Sequence, residues 1–137
     1  MQAQFDVRGF LDAVIKQDAQ RLRSFFEPDA VVVWANTSEQ FTVDEYIRAN
    51  CEYPGNWEGA LDGISALEPQ GKKIVFIANV HNGEGFAARA VSFASLSDSQ
   101  TPLINRLVEY WGDVDEPPQW RKEKNIGIKY IASDAEI

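Results

Sequence analysis

The chain has 137 residues, of which 45% are hydrophobic and 12% aromatic, so it can bury a core and is expected to form one domain. Its net charge of −8, with Lys and Arg scattered apart from residues 121–124, argues against DNA, RNA or an anionic membrane as partner. One cysteine excludes an internal disulfide, and without a signal segment or a long apolar run we expect a cytoplasmic protein.

The first part of the chain is predicted to be helical. Apolar residues at helical spacing occupy positions 7 to 15, with Asp6 as a cap, and Asp18 can cap a second, shorter helix. Residues 27–29, Glu-Pro-Asp, predict a turn. Residues 30–34, Ala-Val-Val-Val-Trp, are predicted to form a strand because four of the five are β-branched or aromatic.

A third helix has the clearest start signal. Thr42 and Glu45 have the spacing of a capping box, in which each side chain bonds to the other residue's backbone amide. Phe41 and Tyr46 stand where a hydrophobic staple would place them. The helix is predicted to end near Cys51, before a Pro-Gly pair at residues 54–55.

Four strands in series are predicted after that helix, over residues 57–68, 73–81, 86–96 and 103–111. The turn signals between them are Pro-Gln-Gly at 69–71, Asn-Gly at 82–83 and a polar loop at 97–102. Residues 113–118 hold two prolines and three acids and cannot continue a central strand. Residues 126–131 could form a short strand or belong to a tail.

This order predicts an α+β domain, with three N-terminal helices on one face of a mainly antiparallel sheet. We expect one domain over residues 1–125, followed by a C-terminal tail or short extra strand over 126–137. Both faces of the strands at 73–81 and 86–96 carry apolar residues, so the face away from the helices needs a cover. A homodimer would supply it.

Three segments carry a resemblance to a known fold family. They are FTVDEY at residues 41–46, NCEYPGNW at 50–57, and EYWGD at 109–113 with PQWR at 118–121. With the element order, they resemble the nuclear transport factor 2-like superfamily, and more narrowly its SnoaL-like branch, related to ketosteroid isomerases and polyketide cyclases. The resemblance implies a cone of curved sheet around the helices, a pocket inside the cone and a homodimer.

The chain departs from the ketosteroid isomerases at the positions that carry their chemistry. The aspartate base of those enzymes aligns with Trp34, and Asn36 is the nearest polar residue. The acid that donates to the enolate oxygen aligns near Ser92, where we expect no carboxylate. The tyrosine of their first helix finds only Phe5 or Phe10. Steroid isomerisation by that mechanism is therefore not expected.

Glu109 is the predicted catalytic residue. Alternation along the last strand places on one face Asn105, Leu107, Glu109 and Trp111. If that face lines the cone, apolar neighbours would raise the pKa of Glu109 towards neutrality and suit it to general acid or base catalysis. The alternatives are a structural ion pair with Arg89 or a solvated position at an edge. Arg89 lies in an otherwise apolar strand and needs a carboxylate or a ligand anion as partner.

Further residues are predicted to line a ligand pocket with Glu109. Tyr46 and Asn50 share a helix face, although Tyr46 could serve only as the staple partner of Phe41. Trp34 and Trp111 end strands that should converge, as pocket wall or as core. The predicted pocket residues are Trp34, Tyr46, Asn50, Arg89, Leu107 and Trp111.

No metal or cofactor is expected. His81 is the only histidine and falls at a hairpin tip, Cys51 is interpreted as a small buried residue, and no nucleotide-binding motif is present. Two functions stay open. One is cofactor-free acid–base chemistry of the isomerase, dehydratase or cyclase type on a hydrophobic small molecule. The other is a non-catalytic, dimeric ligand-binding module. Whether the protein is an enzyme is not decided by the sequence.

Overall fold

The computed structural model describes residues 4–68 and 71–127. Within these ranges the elements, in chain order, are α1 Val7–Ile15, α2 Ala19–Arg23, β1 Phe26–Trp34, β2 Glu39–Thr42, α3 Val43–Cys51, β3 Glu58–Ala66, β4 Lys73–His81, β5 Ala87–Leu96, β6 Ile104–Asp113 and α4 Gln119–Glu123. The predicted order of helices and strands is confirmed, and α4 and β2 are additions to it. Among the described residues, no helix is long and apolar enough to span a membrane.

The three predicted helices begin directly after the capping residues that the sequence indicated. The side chains of Asp6 and Asp18 each accept a hydrogen bond from the backbone amide three residues on. The Thr42 hydroxyl accepts from the Glu45 amide at 3.2 Å, and the Glu45 carboxylate accepts from the Thr42 amide at 2.9 Å. The capping box fixes the direction in which α3 leaves β2, and α3 forms one side of the cavity described below.

The six strands form one mixed sheet in the order β2-β1-β6-β5-β4-β3. Only the β1–β6 pair is parallel, so the sheet is mainly antiparallel as predicted. The parallel pair brings Trp34 opposite Glu109, and the β5–β6 pair brings Ser92 opposite Glu109. Residues that are distant in sequence thus meet near the end of β6.

The structure differs from the predictions for the first strands in two places, of which one contradicts a prediction. Residues 27–29 lie within β1 instead of forming a turn, because the strand starts at Phe26 and carries an irregularity between Phe26 and Val31. That irregularity accommodates the proline, which cannot donate to a regular ladder. The edge strand β2 was not predicted, since its four residues hold no exclusively strand-like pattern.

The predicted alternation of β6 holds only for its second half. Leu107 and Glu109 are buried on the same face, as expected. Ile104 is also buried and Asn105 is exposed, which reverses their predicted sides. The cause is a register shift opposite the end of β5, since one extra residue exchanges the faces of everything before it.

The core lies between α1–α3 and one face of the sheet, which we call the inner face. Its members on the three long strands β4 to β6 include Ile74, Phe76, Ala78, Val80, Ala88, Ala90, Ser92, Ala94, Leu96, Leu107 and Glu109. Phe10 of α1 makes edge-to-face contacts with Phe25, Phe26 and Phe76, which fasten the helix layer to the sheet. Burying each such ring contributes roughly 1.5–3 kcal/mol.

The C-terminal part has one unpredicted helix. Pro118 directly precedes α4, where a proline's fixed φ and missing N–H are tolerated. The residues of the predicted turn at 69–71 lie partly outside the described ranges. So do most residues of the possible strand at 126–131 and of the tail at 126–137.

Candidate functional site

A cavity of about 260 Å³ lies between the helices and the inner face of the sheet. It is bordered by α1, α3 and the ends of several strands. Its lining residues are Val14, Ile15, Gln17, Trp34, Asn36, Thr37, Ala49, Asn50, Tyr53, Trp57, Val80, Phe86, Ala88, Trp111 and Asp113. The lining is mostly apolar with a few polar groups, which is the composition of small-molecule sites.

Aromatic side chains form much of the wall. Trp34 ends β1, and Trp111 lies near the end of the neighbouring strand β6. Trp57 precedes β3 and packs edge-to-face against Phe86, with ring centroids 5.7 Å apart, and against Tyr53, at 5.2 Å. These contacts hold three loop aromatics in place although none of them belongs to a strand.

Two amide side chains tie the rim of the cavity together. The Asn50 side-chain amide on α3 donates to the Val14 carbonyl of α1 at 3.0 Å. The Gln17 amide donates to the carbonyls of Asn50 and Tyr53, at 2.9 and 2.6 Å. Gln17 holds a left-handed backbone with φ of 53°, which turns its side chain away from α1 towards the end of α3. Both donors are thus committed to the backbone.

Glu109 is buried beside the aromatic wall, with 4% of its surface exposed. One carboxyl oxygen accepts from the Ser92 hydroxyl at 2.6 Å, and the other accepts from the Trp34 indole N–H at 3.2 Å. Strand register creates both contacts, since Trp34 and Ser92 are the residues opposite Glu109 in β1 and β5. The carboxyl group therefore holds Trp34 in the cavity wall through a hydrogen bond, while Glu109 is not itself among the lining residues.

The ionisation of this cluster is shifted by its burial. Burial raises the pKa of Glu109, and the donors on Ser92, Trp34 and Trp111 act in the opposite direction. The Trp111 indole N–H lies close enough to lower that pKa but outside hydrogen-bond geometry. Burial also raises the pKa of Tyr46, and the nearby Glu109 charge adds to that increase.

Glu109→Gln is expected to flatten the dependence of stability on pH. Because the pKa of Glu109 is raised above 4.5, the folded chain keeps a proton that the unfolded chain has already released. Its contribution to stability is therefore greatest at low pH and is lost as pH rises through the folded-state pKa. Urea unfolding of both proteins from low pH to above the folded-state pKa should show the variant gaining stability relative to the natural chain as pH increases. A constant difference would contradict the shift.

The structure brings some predicted site residues together and separates others. Trp34, Asn50 and Trp111 line the cavity. Tyr46 and Leu107 do not, and their prediction as lining residues is wrong. Tyr46 is 2% exposed and packs against Phe26 and Trp34, while Leu107 is 0% exposed within the core.

The predicted role of Arg89 is wrong as well. Arg89 stands opposite Gly112, whereas Glu109 stands opposite Ser92, three positions further along β5. An odd separation along a strand puts two side chains on opposite faces, so Arg89 lies on the outer face, away from both Glu109 and the cavity. The Arg89–Glu109 ion pair is therefore not formed.

Sequence reasoning missed several contributors. Ser92 was expected to have no carboxylate beside it, and Glu109 lies there because it is directly opposite in the β5–β6 ladder. Trp57 and Phe86 were predicted only as the first residues of strands, and each lies one residue before its strand in the structure. Asp113 ends β6. No periodic pattern marked these three residues as parts of a site.

The remaining candidates stay outside this site. His81 and Cys51 are not lining residues, and Cys51 packs against the core. Across residues 4–68 and 71–127, no group of three His, Cys, Asp or Glu side chains is arranged to hold a metal.

Comparisons with known proteins identify the fold. No family model matches the chain, and no curated protein matches it in sequence. Among solved structures, a candidate ketosteroid isomerase from Kribbella flavida is 23% identical, with a TM-score of 0.69 over 91% of this chain and 86% of that one. A nuclear transport factor 2-like protein of unknown function from Burkholderia xenovorans is 15% identical, with a TM-score of 0.69 over 92% of both chains.

A third solved structure is also similar to this chain. A candidate SnoaL-like polyketide cyclase from Shewanella denitrificans is 16% identical, with a TM-score of 0.61 over 77% of this chain and 86% of that one. These likenesses show that the chain has the nuclear transport factor 2-like fold, as its resemblance implied. At such low sequence identities, these likenesses establish the fold but not the activity.

Proposed function

We propose that this protein binds a hydrophobic small molecule in the cavity between the helices and the sheet. The supporting observation is the aromatic wall of Trp34, Trp57, Phe86 and Trp111 around a space of about 260 Å³. Burying apolar ligand surface against such a wall is favourable by roughly 25 cal/mol per Å² before the costs of association. We include a cytoplasmic location in the proposal, in keeping with the single cysteine.

Within this proposal Glu109 positions the wall and does not react. Both of its oxygens accept hydrogen bonds from protein donors, and Glu109 is not among the residues that line the cavity. A general base needs hydrogen-bond reach to the proton that it removes. The non-catalytic binding module is therefore the function that the geometry supports best.

Cofactor-free acid–base chemistry of the isomerase, dehydratase or cyclase type is the second candidate. One observation favours it, which is the raised pKa of Glu109 next to a cavity residue. For this function the carboxyl group would have to exchange its bond to Trp34 for a bond to the ligand. Turnover of a bound compound by the natural chain, lost in Glu109→Gln with affinity retained, would establish it.

Tryptophan fluorescence tests the binding proposal. Three of the four tryptophans line the cavity, while Trp120 is 55% exposed on α4, so Trp120→Phe removes a signal unrelated to the pocket. This variant should be titrated with steroids, polyketide-like aromatics, terpenoids and fatty acids. Saturable quenching by one class is expected, and its absence with every class would contradict the proposal.

We further propose a homodimer through the outer face of the sheet. Apolar residues there include Val75, Ile77, Val91, Phe93, Val108 and Tyr110. Phe93 and Tyr110 stack edge-to-face across neighbouring strands, and Tyr110 is 52% exposed. Apolar faces of this kind are the usual core of a dimer interface.

Tyr110→Glu is expected to give a monomer, because it buries a carboxylate in the proposed interface. Light scattering with size-exclusion chromatography should show the mass halved relative to the natural chain. Trp120→Glu is the matched control, since it places the same charge at another exposed aromatic position. An unchanged mass for Tyr110→Glu, or the same change in both variants, would exclude the outer face as the interface.

A further inference from the structure

The cavity combines aromatic rings with an unusual charge balance. Five of its lining residues are aromatic, namely Trp34, Tyr53, Trp57, Phe86 and Trp111. None of the lining residues in the described ranges is Lys, Arg or His. The one charged lining residue is Asp113, and the whole chain carries a net charge of −8. The lining that the structure describes therefore offers no cationic side chain to neutralise an anionic ligand.

Some of the amide and carboxylate groups in the lining already have hydrogen-bond partners, and others do not. The side-chain amides of Asn50 and Gln17 donate to backbone carbonyls. The side-chain oxygen of Asn36 accepts from the Trp111 backbone amide at 3.3 Å. The Asp113 carboxylate differs from them, since within residues 4–68 and 71–127 it accepts no hydrogen bond and forms no ion pair, and Asp113 is exposed. Its carboxylate is therefore available to a ligand at the end of β6.

We propose that the ligand is an organic cation, a hydrophobic molecule with a quaternary or protonated amine group. Aromatic rings attract such a group through the negative potential of their faces, and Trp does so most strongly. The Asp113 carboxylate adds a direct charge interaction at the same cavity. The inference rests on the proposed binding function and specifies the chemical class of its ligand.

The shape-matched pair phenyltrimethylammonium and tert-butylbenzene tests this inference, because the two compounds differ only in a charged nitrogen in place of a carbon. Both are titrated against Trp120→Phe by tryptophan fluorescence. The cation is expected to bind at least about fivefold more tightly than its neutral analogue, as cation–π attraction predicts. Equal affinity or a preference for the neutral compound would overturn the inference while leaving a hydrophobic pocket in place.

A pair of charge-matched variants locates the preference. Asp113→Asn is expected to weaken binding of the cation about fivefold and to leave the neutral analogue unchanged. Asp115→Asn changes the net charge equally at an exposed position outside the lining, and it should alter neither. Equal effects of the two variants would mean that the preference for the cation arises from the overall charge of the chain. That result would overturn the assignment of Asp113 to the site. Binding of neither probe would also overturn the cation inference, whereas the proposed function is decided separately by the neutral and acidic ligands of the panel.

Discussion

Glu109→Ala is expected to unfold more easily than Glu109→Gln by about 3 kcal/mol or more. Alanine leaves the Ser92 hydroxyl and the Trp34 indole without the acceptor that each now uses. A buried donor without a partner costs about 1–3 kcal/mol, and the missing side chain also leaves a void. Glutamine keeps an oxygen for Trp34, and its amide can donate to the Ser92 hydroxyl.

The comparison between these two variants isolates the hydrogen bonds, since both remove the buried charge. Urea unfolding at one pH gives the difference in unfolding free energy. Glu58→Ala serves as a control for loss of an exposed strand glutamate, and it is expected to change stability by less than about 0.5 kcal/mol. If alanine and glutamine at position 109 were equally stable, Glu109 would not be the anchor of the aromatic wall.

Ala49→Phe is expected to weaken ligand binding by about 100-fold, equivalent to about 2.7 kcal/mol. Ala49 lies on α3 with its methyl group at the cavity, so a phenyl ring there occupies the space proposed for the ligand. The fold should tolerate the change, because the ring enters a void instead of a packed core.

Calorimetric titration with the best compound of the panel measures this loss. Ala19→Phe is the matched control, since it adds the same ring to an exposed helical position outside the cavity. Its affinity should equal that of the natural chain. Retained affinity in Ala49→Phe would mean that the compound binds elsewhere.

The parts of the fold that were predictable depend on short-range chemistry. Asp6, Asp18 and the Thr42 capping box mark helix starts because their side chains satisfy nearby amides. The strands between residues 73 and 111 were predictable because one face of each is buried. The reversal at Ile104 was not, since a bulge depends on the partner strand and leaves no local pattern.

The site was predictable only in part, for a related reason. Alternation correctly placed Glu109 on a buried face, and the wall positions of Trp34 and Trp111 follow from where their strands end. The partners of Glu109 were not predictable, because they depend on the register between strands and on the parallel β1–β6 pairing. Because the register between strands was unknown, the sequence also allowed an ion pair between Glu109 and Arg89. In the structure the two side chains lie on opposite faces of the sheet, so the pair cannot form.

A crystal structure of the protein with the tightest compound found by fluorescence would show directly whether this cavity is the ligand site. We expect the ligand to fill the cavity between α3 and the sheet, with its apolar body against Trp34, Trp57 and Trp111. The Glu109 carboxyl group should still bond to Ser92 and Trp34 behind that wall. A ligand bound elsewhere with this cavity empty would contradict the proposed binding site.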